Sequence, residues 1–172
     1  MLKLAGCLCI LLASSGMAYS CVFRLRLELY QIETLLELLT AVEGEITYSR
    51  CPLPELLEHL AEHMPKPYDE ILMQSSRRME ENTQADIPAL WSDVCGQYCA
   101  QLVIPKEAYE ILLRAGEIFA YSSLEASLKL LRLSQRKLEL VFEGRNAEFA
   151  SRRKLYCCLC YMAGLFSIII LL

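Results

Sequence analysis

Along most of this chain apolar side chains recur every three or four residues. Leu25, Leu29, Ile32, Leu36, Leu39, Val42 and Ile46 form such a row. One face of an α-helix repeats at 3.6 residues and a strand at 2, so this spacing predicts a long helix over residues 24–49. The run Cys51-Pro52-Leu53-Pro54 ends it, because proline lacks an N–H and disfavours helical geometry in the residue before it. Pro54 suits the first turn of a short second helix to about Met64, with Glu55 near its positive end. Pro65-Lys66-Pro67 breaks the chain again, and Asp69 and Glu70 open a third helix to about Glu81. After a polar loop over residues 82–86, a fourth helix carries Pro88 in its first turn and reaches about Leu102. Pro105 opens a fifth, with Glu107 near its start.

The last helix is the longest. Ser122 and Glu125 have the spacing of a capping box. Leu124, Leu128, Leu131, Gln135, Leu138, Phe142, Arg145 and Phe149 then follow at alternating steps of four and three. No proline lies beyond them, so residues 123–172 can continue as one helix on the order of 75 Å long at 1.5 Å per residue. No stretch of useful length alternates as a strand would. The expected fold is all-α, an antiparallel bundle of about six helices joined by short loops.

Two stretches are apolar without any charge. Residues 4–23 number 20, and residues 155–172 number 18. A spanning helix needs about 20 apolar residues, within a range of roughly 17 to 25. The expected organisation is an N-terminal transmembrane helix over 1–23, a helical-bundle domain over 24–154, and a C-terminal transmembrane helix over 155–172. Tyr156 and Tyr161 open the second span, at the depth where amphipathic rings favour headgroups. The first stretch also reads as a leader. Lys3 precedes its apolar core, and Cys21 after Met17-Ala18-Tyr19-Ser20 resembles a lipoprotein cleavage site. That alternative would make the protein a lipid-anchored extracellular helical binding protein.

Flanking charge decides between orientations. Arg24, Arg26, Arg145, Arg152, Arg153 and Lys154 lie on the domain side of the two spans, against Lys3 alone on the terminal side. The positive-inside rule then places the domain in the cytoplasm and both termini outside. The same six cations are the expected contacts to anionic headgroups, each worth about 1 kcal/mol at the surface. Residues 27–123 carry 17 acids against 6 bases, which argues against nucleic-acid binding. With 55% hydrophobic and 22% charged residues, this is no disordered chain. Of nine cysteines, only Cys51, Cys95 and Cys99 fall in the domain. An odd, clustered set in a reducing compartment reads as small buried hydrophobes, not as a disulfide framework.

Candidate chemistry is sparse. His59-Leu60-Ala61-Glu62-His63 spells H-x-x-E-H, in which two imidazoles one turn apart can hold zinc and the carboxylate can act as base. A small membrane metallopeptidase built on His59, Glu62 and His63 is therefore an alternative. Against it, the apolar stripe of that helix is Leu53, Leu56, Leu57, Leu60 and Met64, with the histidines to one side and no motif for a third ligand. Cys95 and Cys99, with Cys51, could bind a metal only if a fourth ligand converged. Glu43 and Glu45, two apart, do not share a helix face. There is no glycine-rich phosphate loop and no serine elbow. The residues assign no catalytic group, cofactor or metal, and the expectation is a protein that is not an enzyme.

A series of short motifs, in order, resembles the stage III sporulation protein AB family over nearly the whole chain. They are Met1-Leu2-Lys3-Leu4-Ala5-Gly6, then Leu39-Thr40-Ala41-Val42-Glu43-Gly44-Glu45-Ile46-Thr47-Tyr48 with Cys51-Pro52-Leu53. Trp91, Tyr109-Glu110-Ile111-Leu112, Gly116-Glu117-Ile118-Phe119 and Met162-Ala163-Gly164-Leu165 follow. The chain departs from the family at Cys51, where a threonine is usual, and at Val42, where a leucine is. It departs again at Ala120, Ser123 and Ser127, which stand where glycine, aspartate and glutamine are usual. The resemblance implies a non-enzymatic scaffold in the membrane channel complex between mother cell and forespore. It implies a domain similar to the helical domain of type II secretion and type IV pilus platform proteins. The implied partners are the other stage III A-operon proteins, notably the secretion-ATPase-like AA protein, and the implied location is the mother-cell membrane.

Overall fold

The computed structural model describes residues 2–48, 51–82, 86–120 and 123–171, with only some of the side chains in 2–22 and 150–171. Six helices account for most of them: α1 (Leu2–Tyr48), α2 (Leu53–Ala61), α3 (Tyr68–Glu81), α4 (Ile87–Gln97), α5 (Lys106–Ala120) and α6 (Leu124–Leu171). No strand occurs among the described residues. The all-α class and the six helices stand as expected. The chain divides into two compact units, one of Met1–Leu29 with Glu143–Leu172, the other Tyr30–Phe142.

The core lies in the second unit. Ile32, Leu35 and Leu39 of α1 are nearly solvent-free, as are Leu57, Leu72, Leu112 and Leu131 from four other helices. Each such side chain stabilises the fold by about 1.5–3 kcal/mol relative to exposure. The α1 row holds: Ile32, Leu39 and Val42 are buried, and Leu36 and Ile46 pack against the core. On α6 the row is rotated. Leu131 and Leu138 are buried as expected, but their buried companions are Ser127 and Ser134, and Leu124 is exposed. The cause is α5, which packs on that side: the Ser127 hydroxyl lies 3.3 Å from the carbonyl of Ile118 and 3.2 Å from that of Ser123. A small side chain at this position lets the two helices close. Ser122, the expected cap, lies outside the described residues.

Helix ends differ from expectation where buried polar groups intervene. α2 stops at Ala61 and the chain continues to Met64 in turns, with His63 N–H on Leu60 and Met64 N–H on Ala61. Pro65 disfavours helix in the residue before it, and the tighter bonds absorb that. α4 stops at Gln97, not near Leu102. Gln31 of α1, buried, captures the released backbone. Its Oε1 accepts the Val103 N–H, and its Nε2 donates to the Gln101 carbonyl at 3.3 Å. The Tyr68 hydroxyl donates in turn to the carbonyl of Gln31 at 2.9 Å. Three elements meet at one satisfied polar knot, which fixes where the chain leaves α4.

The expected membrane spans over 1–23 and 155–172 are not supported. Among the described residues no helix is long and apolar enough to cross a membrane. Most side chains on which that expectation rests lie outside the described residues. Met17, Tyr19, Phe23, Leu155, Leu159 and Phe166, described there, are exposed, and Val22 is part-buried. Nor is there a helix boundary near residue 23, since nothing in the sequence breaks α1 before Tyr48.

α4 and α5 pack tightly where Trp91 meets Gly116. Trp91 is fully buried, its Nε1–H donates to the Leu112 carbonyl at 2.8 Å, and its ring stands edge-on to Phe119 at 5.3 Å. A Cβ on Gly116 would fall 2.9 Å from Trp91 Cβ and Cδ1, whereas one on Gly144 would meet nothing within 4 Å. The same substitution should therefore have opposite signs at the two glycines. Gly116→Ala should cost about 1–3 kcal/mol through overpacking. Gly144→Ala, exposed on α6, should stabilise by roughly 0.5–1 kcal/mol through helix propensity. Urea unfolding of the two variants beside the wild type reads both, and equal effects would refute the packing argument.

Candidate functional surface

Four of the six expected headgroup cations are described with their side chains, and all belong to the unit of Met1–Leu29 and Glu143–Leu172. Arg24, Arg26 and Lys154 are exposed. Arg145 is only part exposed, and its guanidinium lies 3.6 Å from Glu28. That ion pair employs one of the six charges inside the protein. The side chains of Arg152 and Arg153 lie outside the described residues.

The histidine pattern does not assemble a metal site. His63 Nδ1 lies 3.1 Å from the carbonyl of His59 and donates to it, which leaves Nε2 as its remaining acceptor nitrogen. His59 Nδ1 faces Glu45 at 3.4 Å with its ring largely exposed. The two rings stack tilted at 5.3 Å. No group of three or more metal-ligating side chains converges among the described residues. The cysteines part company likewise: Cys95 is buried and Cys99 exposed. Burial pushes the Cys95 thiol up to about 12, which leaves it inert as a nucleophile or ligand at neutral pH.

The paired acids of the Glu43-Gly44-Glu45 motif have a role that spacing alone did not reveal. They face different helices, as residues two apart must. Glu43 Oε1 accepts from Arg132 Nε of α6 at 2.7 Å, while Glu45 faces His59 of α2. One stretch of α1 thus carries an anchor to each of two other helices. The Arg132 guanidinium holds the Glu43 carboxyl below its usual range against the opposing effect of burial, with Gln135 adding a second donor. α3 and α4 are joined on their outer side by Arg78 and Asp93.

This architecture defines a class, an all-α bundle whose family-like residues serve helix contacts. Trp91, Leu112, Gly116 and Phe119 meet at one packing site, and Glu43 and Glu45 contact two other helices from α1. The chain belongs to the stage III sporulation protein AB family, whose pattern matches residues 3–172. It is 24% identical over 172 residues to the stage III sporulation protein AB of Bacillus subtilis (strain 168), covering all of both chains. A solved structure of a stage III sporulation protein AB superposes with a TM-score of 0.66 at 20% identity, over 72% of this chain and 97% of that one. At that identity the structural likeness speaks for the fold.

The Glu43 contact has a pH signature. A carboxyl whose folded pKa lies below its unfolded value stabilises the fold at neutral pH. That contribution is lost as pH falls through the folded value. Glu43→Gln should cost roughly 0.5–1 kcal/mol at pH 7, since Arg132 is largely solvated. The difference from wild type should shrink only as pH falls beneath the ordinary carboxylate range and through the lowered folded value, where the wild-type carboxyl takes up its proton. Urea midpoints of both proteins across that range measure it, and a constant gap would show that the ion pair is not its source.

Proposed function

We propose that this chain is a non-enzymatic membrane scaffold of the channel complex between mother cell and forespore, acting through contacts with other stage III A-operon proteins, notably the secretion-ATPase-like AA protein. Membership of the stage III sporulation protein AB family over nearly the whole chain carries this reading. Two physical features support the membrane part of it. Exposed cations and outward-facing apolar side chains occur in the same unit, Arg24 and Arg26 near Phe23, and Lys154 beside Leu155 and Leu159. A row of cations bordering apolar surface suits an anionic headgroup layer. The acidic middle of the chain would then face the cytoplasm of the mother cell.

Charge reversal tests the reading. Arg152→Glu, Arg153→Glu and Lys154→Glu together remove three favourable headgroup contacts of about 1 kcal/mol each and add repulsion. The triple variant should leave the membrane fraction and lower spore yield at matched protein level. His59→Ala with His63→Ala should change neither. In a version of the protein freed of its native cysteines, a cysteine placed at exposed Glu81 should react with a membrane-impermeant reagent only after cells are opened. Labelling in intact cells, or loss of spores in the histidine variant alone, would overturn the proposal.

A further inference from the structure

α5 and α6 leave an apolar groove of about 350 Å³ between them, within the unit Tyr30–Phe142. Ile111, Ile118, Leu130 and Val141 line it. Leu133 and Leu140, also lining it, remain 53% and 57% exposed. On α6, Ala126, Leu130, Leu133, Lys137 and Leu140 follow at steps of 4, 3, 4 and 3. This is a second seam, distinct from the buried row through Ser127, Leu131, Ser134 and Leu138. A helix that buries one stripe and carries another beside it has a face for a further helix.

Charges of opposite sign stand at matched heights on the exposed sides of the two helices: Glu110 and Glu117 line the groove, and Lys129 and Arg136 flank it outside the lining residues. On α5, Glu110 and Glu117 are exposed and stand seven residues apart, two turns, with Arg114 between them. On α6, Lys129 and Arg136 are exposed and also stand seven apart. The contact of Ser127 with the Ile118 carbonyl sets the level of one helix against the other. The two helices run antiparallel at equal rise, so Glu117 lies within about a residue of the level of Lys129. Glu110 lies equally close to the level of Arg136, two turns further on. Arg136 also holds Glu139 of its own helix at 3.0 Å, an exposed pair that contributes little.

We propose that this face is the interface of a homodimer, in which α5 and α6 of one copy pack on α6 and α5 of a second. A two-fold axis lying in the interface, parallel to the helices, preserves height and exchanges the two charged rows. It brings each Glu117 over the partner's Lys129, and each Glu110 over the partner's Arg136. The same operation brings Leu133 and Leu140 of both copies into one apolar centre between the charged rows. A foreign helix would need an apolar ridge with bases on one flank and acids on the other, at this spacing. The chain's own face already meets that condition, which is the self-complementarity an isologous contact requires.

The experiment is sedimentation equilibrium of the full chain in detergent solution at low salt, with circular dichroism confirming that each variant is folded. The wild type should dimerise with concentration. Glu117→Lys and Lys129→Glu, each alone, place like charges across the contact twice and should weaken dimerisation about tenfold or more. An equimolar mixture of the two single variants should dimerise again, because one copy then carries lysine at both positions and the other glutamate at both. The double variant should recover as well. A wild type that stays monomeric at every concentration would overturn the proposal. So would single variants that dimerise like wild type. Failure of the mixture to recover would also do so, and would point to a foreign partner helix or to another face.

Discussion

The absence of a side chain at Gly116 sets the geometry of half the bundle. Trp91 is the largest side chain in the core, and it is wholly buried only because α5 presents no Cβ where the indole lies. Its Nε1–H would be costly to bury unpaired, and the Leu112 carbonyl one turn before Gly116 accepts it. The ring is therefore positioned by one donor and by edge contact with Phe119, and α5 is held to α4 along two turns. Everything after α5 inherits that placement. Ser127 ties the start of α6 to the end of α5 through the Ile118 carbonyl. The height of α6, and with it the level of Lys129 against Glu117, follows from where the indole sits.

A second constraint acts at the other edge of the bundle, through buried polar groups in place of close packing. Gln31 is an amide in a row of apolar residues, a position where an unpaired group would be strongly destabilising. It is tolerated because the chain unwinds after Gln97 and offers it a carbonyl at Gln101 and an N–H at Val103. The Tyr68 hydroxyl satisfies the carbonyl of Gln31 itself, and burial raises the phenol's pKa so that it stays a donor. The helix end and the buried amide explain each other.

Much of this was legible in the sequence, and the remainder fails for identifiable reasons. The α1 row from Ile32 to Ile46 and the breaks at Pro52, Pro54 and Pro67 rest on local spacing and backbone chemistry, and they hold. The end of α4 was misjudged because nothing between Gln97 and Leu102 forbids helix; a residue some 70 positions earlier in sequence, Gln31, decides it. The register of α6 was misjudged because apolar spacing alone marks Leu124 as a core position. The helix instead turns its serines inward, where small size permits contact with α5. The spacing of Glu43 and Glu45 was read correctly as different faces, but which helix each face meets is tertiary information. The H-x-x-E-H pattern shows the converse: the spacing is right, yet no third ligating side chain converges on the pair among the described residues.

The motif residues share a property that bears on what this family's bundle does. Trp91, Leu112, Gly116 and Phe119 fix helix positions, and Glu43 and Glu45 reach from α1 to Arg132 of α6 and His59 of α2. None of them converges on a cavity with a nucleophile or base. A fold whose specific residues set the relative placement of helices is suited to presenting surfaces in a fixed arrangement. Two surfaces here have charge ordered along them. One is the cation-bordered apolar surface of the unit holding Arg24 and Lys154, the other the face of α5 and α6, where Glu110 and Glu117 line the groove and Lys129 and Arg136 are exposed beside it. Charge order of this kind adds little to the stability of a single chain, since exposed pairs are worth at most about 1 kcal/mol. Its physical effect is on orientation and partner choice, because like charges brought together are penalised as strongly as opposite charges are favoured. The packing sites hold the helices rigid, and the charged rows then determine what can be laid against them.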